Sequence, residues 1–373
     1  MSTTTTAISS EHKASHNAVQ PLLQVQGLVK HFPLPRRRLE RKPSVVRAVD
    51  DISFEVFPGE TLGIVGESGC GKSTTARLLV QLLEHDQGAI IFDGQRLGSR
   101  ELPMRKFRRQ VQMVFQDSYA SLNPRLTIEA SIAFGPQVHG LPQRQAVARA
   151  RELLERVGLD PLRFAGRYPH ELSGGQRQRV NIARALALEP RLIILDEAVS
   201  ALDKSVEAQV LNVLLDLKEE FGLTYIFISH DLNVVRYIAD RVLVMYLGKV
   251  VELGPTDALF SEPLHPYTDA LLGSMPSMNP DARTQEARLF GDPPNPINPP
   301  SGCRFRSRCP FAEDPCAQLL PDLQAKPSQP RPSYSYQTHL AACLRHHSGS
   351  GHSHSRLTPN SQAANTSVAE ESA

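Results

Sequence analysis

The chain has 373 residues, 40% of them apolar, and its 41 Lys and Arg residues against 39 Asp and Glu leave a formal charge of +2. Proteins that mainly coat nucleic acid carry a clear basic excess, so this balance argues against that class. No apolar run approaches the roughly 18 residues of a membrane-spanning helix. Residues 1–20 lack the apolar core of a secretory signal. These features argue against an integral membrane protein and against an exported one.

Regular elements are predicted to begin at Leu22, after a disordered leader at residues 1–20. From there to Pro263, strand-like apolar runs alternate with helical patterns, which predicts an α/β domain over residues 21–262. Continuously apolar runs predict buried parallel strands in the middle of a sheet. The predicted strands are Leu22–Leu28, Val45–Phe57, Thr61–Val65, Ala89–Phe92, Val111–Phe115, Leu192–Leu195, Thr224–Ser229 and Arg241–Tyr246.

Four segments have helical propensity or apolar residues at helical spacing. They are Ser73–Leu83, Gln143–Val157, Arg177–Leu188 and Ser205–Phe221. No strand-like run lies between Thr127 and His170, so a helical insert is predicted at about residues 124–172. The basic segment Pro33–Ser44 is predicted to be a solvated loop.

The composition changes after Pro263. Eleven of the forty residues from Pro293 to Pro332 are proline, which predicts an extended, turn-rich segment. We therefore predict a separate extension over residues 263–345 and a disordered, His-containing tail over residues 346–373.

A glycine-rich loop lies between a predicted strand and a predicted helix. Its residues are Gly66, Glu67, Ser68, Gly69, Cys70, Gly71, Lys72 and Ser73, followed by Thr74. In this pattern backbone amides and the helix N-terminus bind phosphate oxygens, the lysine reaches the β- and γ-phosphates, and the serine ligates Mg²⁺. We expect Cys70 to fill the loop, with a thiol pKa lowered by Lys72 and the neighbouring amides.

Two acids, Asp196 and Glu197, directly follow the apolar run that begins at Leu192. The carboxyl end of a parallel strand lies at the edge of the sheet where the phosphate loop also lies. Asp196 is therefore predicted to hold Mg²⁺. Glu197 is predicted to polarise a water molecule for attack on the γ-phosphorus.

A second glycine-rich segment, Leu172–Gln176, precedes a predicted helix. With this segment the chain resembles the ATP-binding subunits of ABC transporters, which carry the same motifs in the same order. The residues that carry the resemblance are Gly66–Ser73, Gln116, Leu172–Gln176, Leu192–Glu197, Ser200–Asp203 and His230.

The resemblance implies that two such subunits meet head to tail around ATP. Ser173 and Gly175 of one subunit would contact the nucleotide held by the other, and Asp203 would span their interface. Gln116 would sense Mg²⁺ and the attacking water, and His230 would contact the γ-phosphate. Phe32 is a candidate for stacking on adenine, with a core phenylalanine as the alternative.

The closer resemblance is to ATPases of bacterial dipeptide and oligopeptide importers, especially the second of their two ATPase subunits. It rests on Val114–Arg125, Tyr168–His170, Met245–Gly248, His265–Thr268 and Asn298–Cys303. It implies a peripheral ATPase at the cytoplasmic face of the inner membrane. The implied partners are a homologous ATPase, expected to be a different chain, two membrane permease subunits and an external peptide-binding protein, with no nucleic acid. Ala198 departs from the family, which usually has proline there.

Four cysteines, Cys303, Cys309, Cys316 and Cys343, match a pattern of these relatives that suggests a four-iron iron–sulfur cluster. The spacing alone is weak evidence for zinc, since it contains no Cys-x-x-Cys pair. Zinc and metal-free thiols therefore stay open as alternatives.

Two other functions remain open beside peptide import. The same fold could energise import of another small solute, such as nickel or glutathione. A soluble ABC ATPase acting on DNA or ribosomes is disfavoured, because the chain has neither a second cassette nor a long coiled-coil insertion. A GTPase is disfavoured because no guanine-selecting Asn-Lys-x-Asp motif is present.

Overall fold

The computed structural model describes residues 20–35, 44–275, 294–297, 299–325, 337–353 and 355. Residues 1–19 of the predicted leader, Arg36 to Lys42 of the basic segment and residues 356–373 of the predicted tail lie outside the described residues. Within the described ranges, no helix has both the length and the apolar character needed to cross a membrane.

Twelve strands form two sheets in the described part of the chain. They are β1 (Leu23–Pro33), β2 (Val45–Val56), β3 (Thr61–Val65), β4 (Gln87–Phe92), β5 (Gln95–Arg96), β6 (Val111–Val114), β7 (Leu192–Asp196), β8 (Thr224–Ile228), β9 (Arg241–Tyr246), β10 (Lys249–Pro255), β11 (Gln324–Ala325) and β12 (Leu340–Ala341).

The larger sheet has the order β11-β12-β10-β9-β3-β8-β7-β6. Its central strands β9, β3, β8, β7 and β6 are parallel, whereas β10, β11 and β12 continue it with antiparallel pairs. Every residue of β3, β7, β8 and β9 is buried, as expected for strands covered on both faces. The smaller sheet, β2-β1-β4-β5, is entirely antiparallel.

The described helices are α1 (Lys72–Leu79), α2 (Met104–Gln110), α3 (Ile128–Val138), α4 (Gln143–Arg156), α5 (Pro161–Phe164), α6 (Gly174–Leu186), α7 (Lys204–Phe221), α8 (Leu232–Ile238), α9 (Thr256–Ser261), α10 (Pro266–Gly273) and α11 (Asp314–Gln318). Helices α3 to α5 follow one another without a strand between them, in the range where the helical insert is predicted.

Two buried clusters lie on opposite faces of the larger sheet. One face packs against the helical insert and α7, with Ile132, Leu154 and Leu214 fully buried. The other packs against α1, α2 and the smaller sheet through residues such as Leu78, Phe92 and Phe107. The domain is therefore a three-layer arrangement that fixes the central strands, whose ends carry the site.

The predicted strands and helices are all present, with ends shifted by a few residues. Strands β5, β10, β11 and β12 were not predicted. Strand β10 is short and buried almost throughout, and a turn of only two residues separates it from β9. The predicted start of the tail at residue 346 is wrong, because His352 is 1% exposed and its Nε2 lies 2.9 Å from the carbonyl oxygen of Phe311.

A buried glutamate ties the extension to the larger sheet. Glu252 on β10 is 0% exposed. Its carboxylate accepts hydrogen bonds from the backbone N–H groups of Leu264 (2.8 Å) and His265 (2.9 Å) and lies 2.7 Å from His339 Nε2. These contacts fix the start of α10 and the strand β12 on the same residue.

We predict that Glu252→Ala lowers the free energy of unfolding by about 3 kcal/mol, because it leaves two buried N–H groups and a histidine without their acceptor. Urea-induced unfolding measures the change. Glu219→Ala on the exposed face of α7 is the matched control and is expected to stay within about 0.5 kcal/mol of the original chain. Equal unfolding midpoints for the two variants would contradict this role of Glu252.

Candidate functional site

The carboxyl ends of four adjacent parallel strands carry the predicted site residues. The phosphate loop follows β3, Gln116 lies two residues beyond β6, Asp196 ends β7, and His230 lies two residues beyond β8. Since these strands are neighbours in the order β3-β8-β7-β6, their ends meet at one edge of the sheet. The topology therefore brings together residues that are separated by more than 100 positions in the sequence.

The glycine-rich loop closes tightly against β2. Gly71 has a φ of 112°, and a Cβ atom there would lie 2.3 Å from the carbonyl oxygen of Ala48. A side chain at this position would therefore meet both backbone strain and a backbone clash. Helix α1 begins directly after it, at Lys72, so the helix N-terminus points its free amides at the loop.

Lys72 is buried, and its ammonium group stays within the loop. Nζ donates hydrogen bonds to the carbonyl oxygens of Gly66 (2.7 Å) and Glu67 (3.1 Å). The positive charge is thus held inside the ring of amides that the sequence predicts to bind phosphate.

Ser73 and Asp196 meet as predicted for a magnesium site. Ser73 Oγ donates a hydrogen bond of 3.0 Å to Asp196 Oδ1. Asp196 is 4% exposed, and this burial raises the pKa of its carboxyl, with the nearby Glu197 carboxylate acting in the same direction. A hydroxyl and a buried carboxylate are hard oxygen ligands, so their chemistry fits Mg²⁺, whose charge would stabilise the ionised aspartate.

Glu197 is bracketed by the two other predicted catalytic residues. Its Oε2 accepts a 2.9 Å hydrogen bond from Gln116 Nε2 and lies 3.5 Å from His230 Nδ1. Glu197 has a φ of 48°, in the left-handed region, while its N–H donates to the carbonyl oxygen of Ile228. Asp196 contacts Ser73, whereas Glu197 contacts Gln116 and His230, so the two acids can serve different purposes.

The second glycine-rich segment forms the start of α6. Ser173 is the N-cap, and its hydroxyl accepts a 3.3 Å hydrogen bond from the N–H of Gln176. A Cβ atom on Gly175 would lie 2.3 Å from a methyl group of Val206 on α7, so any larger residue would force the Val206 side chain to move. Ser173 itself is exposed and therefore accessible to a second subunit.

A cleft of about 990 Å³ opens beside the phosphate loop. Its walls include Gly66, Ser68 and His230 together with residues of α7 and α8. Ser173 is not among the described residues that line it. Within a single chain, the structure thus does not bring the two glycine-rich segments into one pocket.

Phe32 lies on β1, opposite Val46 of β2. It is half-buried and is absent from the buried core of the described residues. The Lys30 ammonium lies 5.6 Å from its ring centroid. Phe32 stays a prediction as the adenine-stacking residue, and its partial exposure argues against the alternative of a core phenylalanine.

The expected lowering of the Cys70 pKa is wrong. Cys70 is 3% exposed, and burial raises the pKa of its thiol despite the positive charge of Lys72. Cys70 packs with the core beneath the loop, so its role as a filler of the loop is the interpretation that the structure supports.

The four C-terminal cysteines line one small cavity of about 10 Å³, together with His265 and Phe305. Burial raises the pKa of the thiols of Cys303, to about 11, Cys309, and Cys343, to about 12. Among the described residues, no group of three or more His, Cys, Asp or Glu side chains is placed to hold a metal ion. The predicted iron–sulfur cluster is therefore not supported by the geometry of the cavity.

Two residues that contact the loop were not singled out for any role from the sequence. The hydroxyl of Tyr267 accepts a 2.8 Å hydrogen bond from the N–H of Glu67, and Arg308 pairs with the Glu67 carboxylate. They lie 200 and 241 positions away from Glu67, in a part of the chain where no periodicity points to the loop.

Comparisons with known proteins agree with this geometry. A family model described as "ABC transporter" matches residues 49–200. A second model, "Oligopeptide/dipeptide transporter, C-terminal region", matches residues 251–316. The first match covers the loop and both acids, and the second covers most of the extension with Tyr267 and Arg308.

Curated relatives match most of the chain. The chain is 53% identical to the probable peptide ABC transporter ATP-binding protein y4tS of Sinorhizobium fredii, over 82% of this chain and 87% of the relative. It is 49% identical to the oligopeptide transport ATP-binding protein AppF of Bacillus subtilis, over 86% of this chain and 98% of the relative.

Solved structures share the fold. The cbiO1 protein of Clostridium perfringens, part of the ABC transporter complex cbiONQ, superposes with a TM-score of 0.55 at 29% identity, covering 65% of this chain and 91% of that one. The ATP-binding cassette MJ0796, solved as a dimer bound to ADP and Pi, superposes with a TM-score of 0.55 at 28% identity. The match covers 63% of this chain and 98% of the MJ0796 chain. The predicted resemblance is thus confirmed, and the chain belongs to the ATP-binding proteins of peptide ABC transporters, which are ATPases.

Proposed function

We propose that this ATPase energises the import of dipeptides or short oligopeptides from the cytoplasmic face of the membrane. The observation that carries the proposal is the set of Lys72, Ser73, Asp196, Glu197 and His230 at one sheet edge, in a chain whose extension matches the oligopeptide/dipeptide transporter region. Relatives named as peptide transport proteins cover most of its length.

ATP would bind with its phosphates over the loop from Gly66 to Thr74. Lys72 would exchange its loop carbonyl partners for phosphate oxygens, and the amides at the start of α1 would supply further donors. Mg²⁺, held by Ser73 and Asp196 with Gln116 nearby, would supply positive charge to the β- and γ-phosphate oxygens.

Glu197 is the proposed base that orients and polarises the attacking water. Its carboxylate is only partly exposed and is held from two sides by Gln116 and His230. His230 is exposed, with 60% of its side chain accessible, so it can reach a γ-phosphate in the cleft. Ala198, which follows the two acids in the sequence, is buried. Alanine instead of the proline usual in the family changes none of the catalytic side chains.

The nucleotide site is proposed to be completed by a second, homologous ATPase subunit, expected to be a different chain. Ser173, which is exposed, and Gly175, which is buried at the same α6 N-terminus, do not line the loop cleft of their own chain, which supports a role toward the partner's nucleotide. Asp203, exposed at the start of α7, is the proposed interface residue. The solved structure of the ATP-binding cassette MJ0796 bound to ADP and Pi is dimeric, which supports the pairing of two such subunits.

Two membrane permease subunits and an external peptide-binding protein are the further proposed partners. The segment after Gln116 contains Tyr119, which is 51% exposed, and leads into α3, whose Phe134 and Val138 are 59% and 55% exposed. Exposed large apolar side chains next to a nucleotide-linked residue support this surface as the groove for a permease helix. No role in nucleic-acid binding is proposed.

Replacing Glu197 by Gln keeps the size and the hydrogen bond of the side chain but removes its negative charge. We expect ATP binding to be retained and hydrolysis to fall at least about hundredfold, since general-base catalysis contributes that much. Phosphate release by the assembled transporter, together with equilibrium ATP binding, measures both. Glu152→Gln, on the exposed face of α4, is the control. Undiminished turnover in Glu197→Gln would contradict the assigned role.

The cargo is tested by growth and uptake. A strain that lacks the transporter should recover growth on defined dipeptides or short oligopeptides when the complete transporter is restored, and Lys72→Ala should abolish the recovery. Uptake of nickel or glutathione without peptide uptake would instead support the alternative small-solute importer. Co-purification with ribosomes or DNA, without permease subunits, would contradict both.

An iron–sulfur cluster at the four cysteines stays a finer proposal, supported by the fact that their side chains line one cavity. The side chains would have to move, because the described geometry contains no preformed metal site. We expect about four iron and four sulfide per chain after anaerobic purification. Zinc alone, or no metal above background, would contradict the cluster.

A further inference from the structure

The second residue of the phosphate loop, Glu67, is bound by the C-terminal extension through both its backbone and its side chain. Its N–H donates a 2.8 Å hydrogen bond to the hydroxyl of Tyr267 on α10. Its carboxylate oxygens accept bonds of 2.8 and 3.0 Å from the two terminal nitrogens of Arg308. This two-point contact is the strong, geometrically specific form of an arginine–carboxylate pair.

Arg308 is a buried residue whose position is fixed from several sides. Its side chain is 5% exposed, and its guanidinium also lies 3.4 Å from the hydroxyl of Tyr246. The bonds to Glu67 raise the pKa of Arg308, so it stays charged. Tyr246, Tyr267 and Phe305 pack against one another with ring centroids 4.6 to 5.4 Å apart and support it from below.

The same short segment contacts a second wall of the nucleotide region. Arg304, four residues before Arg308, is 6% exposed and donates to the Asp50 carboxylate of β2 and to the carbonyl oxygen of Leu247. Leu247 precedes Gly248, whose N–H donates to the carbonyl oxygen of Cys70 in the loop. Arg308 therefore contacts the loop directly at Glu67, and Arg304 is connected to the loop at Cys70 through Leu247 and Gly248.

We propose that the extension contributes to ATP binding through Arg308 and Tyr267, which are positioning residues that hold Glu67. Arg308 also neutralises the charge of Glu67 beside the triphosphate. The proposal goes beyond peptide import and rests only on the proposed nucleotide site at Gly66–Ser73.

The electrostatic reason is the sign of the ligand. Glu67 carries a negative charge at the entrance of a loop that binds a polyanion, and 22% of its side chain is exposed. When the Glu67 carboxylate is paired with Arg308, the net charge of the pair is close to zero and repels the phosphates little. An unpaired carboxylate at this position would repel them. The contact thus couples the fold of the cysteine-containing extension to the affinity for ATP.

The test compares ATP binding by the full-length chain in its original form and as Arg308→Gln, and then steady-state hydrolysis by the assembled transporter. We expect Arg308→Gln to raise the Kd and KM for ATP about tenfold and to change kcat at saturating ATP less than about twofold. The double variant E67Q/R308Q, which removes both charges, should bind within about threefold of the original chain.

Arg345→Gln is the matched control. Arg345 belongs to the same extension and stacks on Phe311 with 4.0 Å from its guanidinium carbon to the ring centroid. The affinity of the Arg345→Gln variant for ATP should equal that of the original chain. Arg308→Lys, which keeps the charge without the two-point geometry, should weaken binding about threefold and carries the test if Arg308→Gln does not fold.

An unchanged Kd in Arg308→Gln or Arg308→Lys would overturn the proposal, as would a double variant that binds no better than Arg308→Gln. An equal loss in Arg345→Gln would show a general effect of damaging the extension and would also overturn it. Failure of the original chain to bind ATP would count against the proposed nucleotide site itself and is thereby distinguished.

Discussion

The parallel pairing of β3, β8, β7 and β6 is the constraint on which the rest of the structure depends. Because these strands run in the same direction and are buried on both faces, their carboxyl ends must lie side by side. One consequence is the 3.0 Å bond between Ser73 and Asp196, which joins two segments 123 residues apart. Another is the contact of Glu197 with Gln116 and His230, each delivered by a different strand.

Glycine residues and burial determine the geometry and the protonation of the site at the carboxyl edge of the larger sheet. Gly71 lets the loop approach the backbone at Ala48 at a distance that no side chain would allow, and Gly175 leaves room for the Val206 side chain of α7. Burial raises the pKa of Asp196, and the hydrogen bond from Ser73 opposes this effect. A metal ion bound there would further stabilise the ionised carboxylate of Asp196. The same burial keeps Cys70 as a neutral filler of the loop.

The central strands and the loop could be predicted because local pattern determines them. The apolar run at Leu192 and the glycine spacing from Gly66 to Lys72 are local signals, and the topology follows from parallel pairing. Contacts of Arg308 and Tyr267 with Glu67 could not be predicted, since they depend on how a proline-rich segment without periodicity folds back over the domain. The tail boundary was missed for the same reason, because His352 is buried by a contact with Phe311.

The central claim is that one chain supplies only half of each ATP site, because its exposed Ser173 lies outside its own loop cleft. The most direct measurement is the mass in solution of the Glu197→Gln chain, mixed with the proposed partner ATPase subunit, by light scattering in ATP and in ADP. The account predicts a two-subunit particle with two bound ATP molecules in ATP and separate subunits in ADP. ATP-saturated subunits that stay separate, both free and within the membrane complex, would contradict it.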